Sequence, residues 1–256
     1  MLRHTFQHIT GIDKFMEANL WKSGISSWAK LRANIGILKE LGDERFFPDE
    51  VLWELDHSES ALANQDSHFF WNKLPYEEIW RLYDDLPQTF YALDIETTGL
   101  DLPHKVTCVC VYDGKEIYQF TRSKNLDDFH DFWMGRNSPI IVTYNGFKFD
   151  LPFLARSMQW KNPFPHLDLM HVLHKMGIKG GLKGSEVKLG IIRESALSGI
   201  DGFQAVRLWN QYVETDISEY LDLLVKYNQE DTINLHRILR IVYDTKKFEL
   251  GILFSN

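Results

Sequence analysis

Cysteine is nearly absent. The chain has two, Cys108 and Cys110, in Val106-Thr107-Cys108-Val109-Cys110-Val111. Neighbours on one strand face are poor disulfide partners, and two cysteines without a second pair make no zinc site. Buried free thiols in a reducing cytosol are the expectation. No apolar run is long enough to span a bilayer. The first residues, Met1-Leu2-Arg3-His4-Thr5, are not followed by the apolar core of a signal peptide, so a cytoplasmic location is expected. Internal repeats and low-complexity tracts are missing. So is a basic excess: 28 Lys and Arg face 36 Asp and Glu, a net charge of −8. Any contact with a polyanion must therefore come from a local basic patch on an acidic surface.

What is present is enough for one sizeable core and a smaller appendage, with 256 residues and 44% apolar content. The most informative stretch is Tyr91-Ala92-Leu93-Asp94-Ile95-Glu96-Thr97-Thr98-Gly99-Leu100. If its apolar run is a strand, Asp94 and Glu96 point to the same face. Two adjacent acids raise each other's pKa, and a hard divalent cation relieves the repulsion. Solvated acids at a strand end are the plain alternative. Thr97-Thr98-Gly99 ends the strand and opens a loop.

A second strand, Pro139-Ile140-Ile141-Val142-Thr143-Tyr144, runs into Asn145-Gly146-Phe147-Lys148-Phe149-Asp150. Asn-Gly supplies a turn, and Leu151-Pro152-Phe153 opens a helix. Asp150 thus sits at a strand-to-helix junction, where it also suits the N-cap. A long helical stretch from about Ile217 to Tyr243 carries Tyr227 and Asp231, four apart and on one face. Glu230 falls off that face and reads as a solvated acid.

Together these motifs resemble the DEDD superfamily of 3′–5′ exonucleases. Asp94 and Glu96 match its Asp-x-Glu, Asn145, Phe149 and Asp150 its Asn-x-x-x-Phe-Asp, and Tyr227 and Asp231 its Tyr-x-x-x-Asp. The Tyr points to the DEDDy branch. Leu74-Pro75-Tyr76-Glu77-Glu78-Ile79-Trp80-Arg81-Leu82-Tyr83 and Gly181-Leu182-Lys183 with Val187-Lys188-Leu189-Gly190-Ile191 resemble the stand-alone YprB-type ribonuclease-H-like nucleases. His166-Leu167-Asp168-Leu169 resembles a segment of the proofreading domains of family B DNA polymerases. The resemblance covers roughly Leu74 to Tyr243. The chain has no room for a polymerase domain.

The resemblance implies a ribonuclease-H-like fold and 3′–5′ hydrolysis of single-stranded nucleic acid, DNA favoured, with two Mg²⁺ or Mn²⁺ ions. Asp94, Glu96, Asp150 and Asp231 would hold the metal. Asp94 would bridge both ions, Glu96 and Asp231 would serve the water-activating side, and Asp150 the other. Tyr227 would orient the attacking water, since a phenol with pKa near 10 is a poor base. Thr97, Thr98, Asn145, Phe149 and Lys148 are the expected substrate contacts nearby. Lys179 and Lys183 add a basic patch, interleaved with Lys175, Lys188 and glycines in a Gly-Lys-rich connection that is otherwise a solvated loop. A repair or replication protein is an expected partner. A structure-selective endonuclease using the same acids, or a non-catalytic nucleic-acid-binding or accessory subunit, are the alternatives.

The expected architecture is α/β: a mixed five-stranded ribonuclease-H-like sheet flanked by helices, with a small N-terminal helical segment. Strands are placed at Phe90–Ile95, Lys105–Val111, Glu116–Thr121, Ile140–Tyr144 and near His166–Leu169. Asp113-Gly114 joins the second and third as a hairpin. Helices follow at about Leu126–Trp133, Leu151–Met158 and through the C-terminal third. The domain division is residues 1–75, helical, and 76–256, ribonuclease-H-like. Ile9-Thr10-Gly11-Ile12, a helix to Lys22 and a second helix from about Ser27 resemble a helix-hairpin-helix. Asp13, however, stands where that module carries glycine, so packing is the favoured role. Dense aromatics (Phe46, Phe47, Trp53, Phe69, Phe70, Trp71) read as core or packing residues. The ten histidines form no recognisable metal site. Asp168 either supports the metal ligands or caps the helix beginning near Leu169.

Overall fold

The computed structural model describes residues 1–41, 47–101, 103–122, 124–197 and 199–251. Phe46, counted above among the aromatics, lies outside them. The chain divides into two compact units, one of residues 1–89 with 240–256, the other of residues 90–239.

The first unit is helical. Asp13 caps α1 (Lys14–Lys22) by accepting from the N–H groups of Phe15 and Met16. Ser27 caps α2 (Trp28–Ala33), and α3 spans Ile37–Glu40. Pro48 opens α4 (Pro48–Ala63), where its missing N–H costs nothing, and Asp66 caps α5 (Ser67–Trp71). Leu2, Phe6, Leu20, Trp28, Leu31, Leu55 and Phe70 are fully buried. Among the described aromatics of that set only Phe70 is a core residue in full; Phe47 and Trp53 are exposed, Trp53 lying against His57. The polar run His57-Ser58-Glu59-Ser60 is part of α4, and the buried Ser58 hydroxyl donates back to the Glu54 carbonyl. A 3-10 segment, Tyr76–Leu82, brings the buried Arg81 to Glu17 of α1 at 2.9 Å.

The second unit holds a mixed five-stranded sheet, as expected: β1 (Phe90–Thr97), β2 (Val106–Tyr112), β3 (Ile117–Thr121), β4 (Ile140–Thr143) and β5 (His166–Asp168), in the order β3-β2-β1-β4-β5. The first three form an antiparallel meander, while β4 and β5 run parallel to β1. The turn between β2 and β3 is local chemistry: Asp113 Oδ1 accepts from the N–H groups of Lys115 and Glu116. Helices follow as α6 (Phe129–Phe132), α7 (Asp150–Ser157), α8 (Leu169–Lys175), α9 (Gly181–Lys188), α10 (Gly202–Thr215) and α11 (Ser218–Gly251). Part of the Gly-Lys-rich connection is thus helical, as α9.

Alternation along β1 sorts its side chains. Leu93 and Ile95 join Val109, Val111, Phe129, Trp133, Phe153 and Leu154 in one core. The other face carries Asp94 and Glu96, in register with Cys110 and Cys108 of β2. Both cysteines are buried free thiols. Cys108 packs with Leu197, Trp209, Leu221, Leu224 and Tyr227 in a second core. The pairing of β1 with β4 covers only Phe90–Ala92 against Ile140–Val142. β1 therefore runs on beyond its parallel neighbour, and Asp94 and Glu96 lie in that extension. This is the carboxyl end of the parallel strands, where open α/β sheets build sites.

Candidate active site

Three elements supply the acids. β1 brings Asp94 and Glu96, and α11 brings Asp231. These three each present a carboxylate oxygen within 4.8 Å of the others. Among the described residues no other group of three or more acids, histidines or cysteines lies so close. Asp150 stands beside this trio rather than within it: its carboxyl accepts a hydrogen bond from the backbone N–H of Ile95, between the two acids of β1. Asp150 is the first residue of α7, and Phe149, not Asp150, holds the N-cap position. This corrects the N-cap expectation.

The acids are buried: Glu96 is 8%, Asp150 3% and Asp231 6% exposed, with Asp94 half-buried. Burial, reinforced by Asp231 and Asp150, pushes both Asp94 and Glu96 well above the usual carboxylate range. Burial pushes Asp150 up to about 7. Asp231 rises to about 6, because burial outweighs the Arg193 guanidinium beside it. Four carboxyls that cannot all ionise without a counter-charge fit a divalent cation, since hard ions take oxygen ligands and repay this desolvation. Asp94, Glu96 and Asp231 could hold it.

Tyr227 lies on α11 with its side chain 5% exposed, and its hydroxyl is hydrogen-bonded to Asp231. Burial and the neighbouring acids Asp231, Glu96 and Asp94 push its pKa far up, so it stays a protonated donor. The Lys183 ammonium sits 5.0 Å from the centre of the Tyr227 ring and acts electrostatically on Glu96. Of the Gly-Lys stretch, Lys183 is the residue at the site. Lys179 is exposed, with its carbonyl accepting from Lys188 Nζ at 2.6 Å.

The remaining expected contacts are placed as follows. Thr97 is buried and its hydroxyl donates to the Gly99 carbonyl; the Thr98 hydroxyl accepts from the N–H of Lys105. Asn145 adopts a left-handed φ of 64°, and its carbonyl accepts from the N–H groups of Lys148 and Phe149. A Cβ at Gly146 would overlap the Thr143 side chain, so the Asn-Gly turn is required on both counts. Phe149 packs on Phe153, while Lys148 is exposed. Asp168 caps α8 through the N–H of Met170 and also accepts from the N–H groups of Asn145 and Phe147, pinning the loop that leads to Asp150. The capping role expected of Asp168 is thus seen, together with a tie to the 145–147 loop.

Several site residues were not read from the sequence. Asn228, fully buried, donates from Nδ2 to Asp94 Oδ2 at 2.8 Å and accepts from Gln119 Nε2 at 3.1 Å. Its position three residues before Asp231, on the same helix face, was the available signal. Glu230 is no solvated acid: its side chain is 11% exposed and accepts from the N–H of Glu194 at 2.8 Å. A neighbouring segment folds over that side of α11, which helical periodicity alone does not reveal. Arg193 lies against Asp231, and Glu186 holds Arg193. Pairings between separate segments leave no periodic trace.

Comparison with known proteins puts a family to this geometry. The RNase_H_2 profile of the RNase_H superfamily matches residues 91–243. No curated protein matches the chain. Among solved structures, the family B DNA polymerase from the hyperthermophilic archaeon Pyrobaculum calidifontis matches at 18% identity and a TM-score of 0.43, over 60% of this chain and 27% of that one. The chain therefore spans about a quarter of that polymerase's length. No helix among the described residues is long and apolar enough to cross a membrane. With its profile match running over more than half of the chain, from β1 into α11, the protein belongs to the RNase_H superfamily.

Proposed function

We propose that this protein is a metal-dependent nuclease of the DEDDy branch, a YprB-type 3′–5′ exonuclease acting on single-stranded nucleic acid, with DNA favoured. The observation that carries this reading is the convergence of Asp94, Glu96 and Asp231, from β1 and α11, on one 4.8 Å cluster. Tyr227 sits one helical turn before Asp231, on the same face.

Asp94, Glu96 and Asp231, with Asp150 alongside, would hold Mg²⁺ or Mn²⁺. Two such ions supply an activated water and charge stabilisation on the leaving oxygen. The residues of the chain do the rest. Asn228 holds Asp94 in one orientation. Tyr227, a donor that does not ionise near neutrality, positions the water rather than accepting its proton. Lys183 offers positive charge beside Glu96 for a phosphate. Lys148 and Phe149 lie on the loop that delivers Asp150 and would meet the strand there. Thr97, Thr98, Asn145 and Lys179 complete our substrate contacts.

We assign hydrolysis to the domain formed from residues 76–256, with residues 1–75 as a helical appendage. Asp13 already accepts from two N–H groups of α1 that a backbone phosphate would need. That supports packing over DNA contact for the helix-hairpin-helix-like start. We assign the protein to DNA repair or replication in the cytoplasm, beside a protein partner of those processes.

The test is digestion of 5′-labelled single-stranded DNA and RNA with Mg²⁺ or Mn²⁺, beside a circular single strand. A ladder shortening from the 3′ end, absent with Asp94→Ala, is expected, with the circle intact. Tyr227→Phe should fold and turn over about 10²-fold more slowly, as expected for a misplaced reactant. Cleavage of the circle would replace the exonuclease with an endonuclease. No cleavage of any strand would leave a binding or accessory subunit.

A further inference from the structure

Arg193 lies outside all three acid-bearing motifs, in Ile191–Glu194, a segment without regular structure. Its side chain is only 7% exposed. Nη2 approaches Asp231 Oδ1 at 2.5 Å. Nε and Nη2 hold the two oxygens of Glu186 on α9 at 2.6 and 2.7 Å. Glu186 is 1% exposed and also accepts from Asn234 Nδ2 at 2.9 Å, while Asn234 Oδ1 accepts from Arg237 Nη1 at 2.9 Å. Five side chains from α9, α11 and the 191–194 segment thus form one chain ending on a member of the acid cluster.

We propose that Arg193 is a built-in counter-cation and a positioning residue: it pairs with Asp231 and holds the acid cluster together before metal arrives. The proposal rests on the metal-dependent reading above. Buried carboxylates are expensive, and here two of them, with the half-buried Asp94, lie within 4.8 Å of one another. A guanidinium is the side chain suited to this duty, because it is planar, always charged and weakly hydrated. The two-pronged grip of Glu186 fixes the plane of that guanidinium, so Asp231 cannot turn without breaking a buried ion pair. Lysine, a point charge, could neutralise Asp231 without fixing its plane.

A cation touching one ligand also opposes a divalent ion on the same carboxylate. The arrangement therefore gives up metal affinity in favour of geometry. Removing the charge should tighten metal binding and slow hydrolysis at once. A residue with only a packing role would weaken both together.

The experiment uses the full chain as wild type, Arg193→Gln, Arg193→Lys and Asp94→Ala. Mn²⁺ affinity is measured by titration calorimetry without nucleic acid. Melting is followed in chelator and in Mn²⁺, and turnover on 5′-labelled single-stranded DNA at saturating Mn²⁺. Arg193→Gln is expected to melt lower in chelator, to bind Mn²⁺ several-fold tighter and to turn over about 10²-fold more slowly. Arg193→Lys should restore near-wild-type Mn²⁺ affinity while turnover stays low, and it carries the test if the Gln variant does not fold. Wild-type affinity and turnover in both variants would overturn the proposal. So would a parallel loss of affinity and turnover in a folded variant. A wild type that binds no Mn²⁺, like Asp94→Ala, would overturn the metal-dependent reading itself.

Discussion

Asn228 links two polar side chains of the sheet: its amide donates to Asp94 and accepts from Gln119, which also donates to the Val109 carbonyl. Asn228→Ala should lower metal affinity or turnover by about 10- to 100-fold, the usual effect of removing a side chain that orients a ligand. It should also cost about 1–3 kcal/mol of stability through the loss of two hydrogen bonds, one of them to a carboxyl. Mn²⁺ titration and urea unfolding check the two effects separately. The contrast between Asn228 and its neighbours shows what a sequence discloses. Asp94 and Glu96 were legible as one face because strand alternation is a property of the backbone. Tyr227 and Asp231 were legible because helical spacing is too. Asn228 shares that spacing but has no charge to draw notice. Arg193 meets Asp231 only through tertiary folding, so nothing local marks it.

Elements tell a similar story. The β2–β3 hairpin was legible because Asp113 makes its own turn. α9 was not, since Gly180 and Gly181, both at left-handed φ, stand at its start and read as loop. Its buried anchor, Glu186, is fixed from elsewhere by Arg193 and Asn234. In the first unit, Arg81 of the 3-10 segment does comparable work. It meets Glu17 at 2.9 Å and Glu78 at 2.6 Å, and lies over the rings of Trp21 and Trp80. Glu17 in turn accepts from the N–H of Phe6 at 2.6 Å. Arg81→Ala would strand the carboxylate of Glu17, which is 1% exposed, and should cost about 3–5 kcal/mol. Denaturant unfolding reads that loss. A variant within 1 kcal/mol of wild type, by the same scale, would mean that the ion pair fastens nothing.

Two buried histidines give the fold an acid sensitivity of their own. His8 is 2% exposed between Trp28 and Phe70, and burial, with Lys73 and Arg81, pushes its pKa down to about 3. Burial likewise lowers His166 to about 4. Between the ordinary histidine value of 6.5 and these depressed values, the unfolded chain takes up protons that the folded one refuses. Their contribution is intact above 6.5 and lost as pH falls, by about 1 kcal/mol per pH unit for each imidazole. In the metal-free protein the raised acids Asp94, Glu96, Asp150 and Asp231 act in the opposite sense, since the folded form then holds the protons. Comparing wild type with His8→Phe isolates the first effect. The variant should unfold with a shallower acid slope below pH 6.5, and identical slopes would assign the sensitivity elsewhere. The sheet carries one more consequence. Cys108 and Cys110 are the chain's only two thiols, fully buried on β2, and burial pushes both up to about 12. A thiol reagent therefore finds nothing to modify while the central strands are closed. The rate at which it gains access becomes a native clock for sheet opening, with no label to engineer and no other sulfhydryl to confuse the reading.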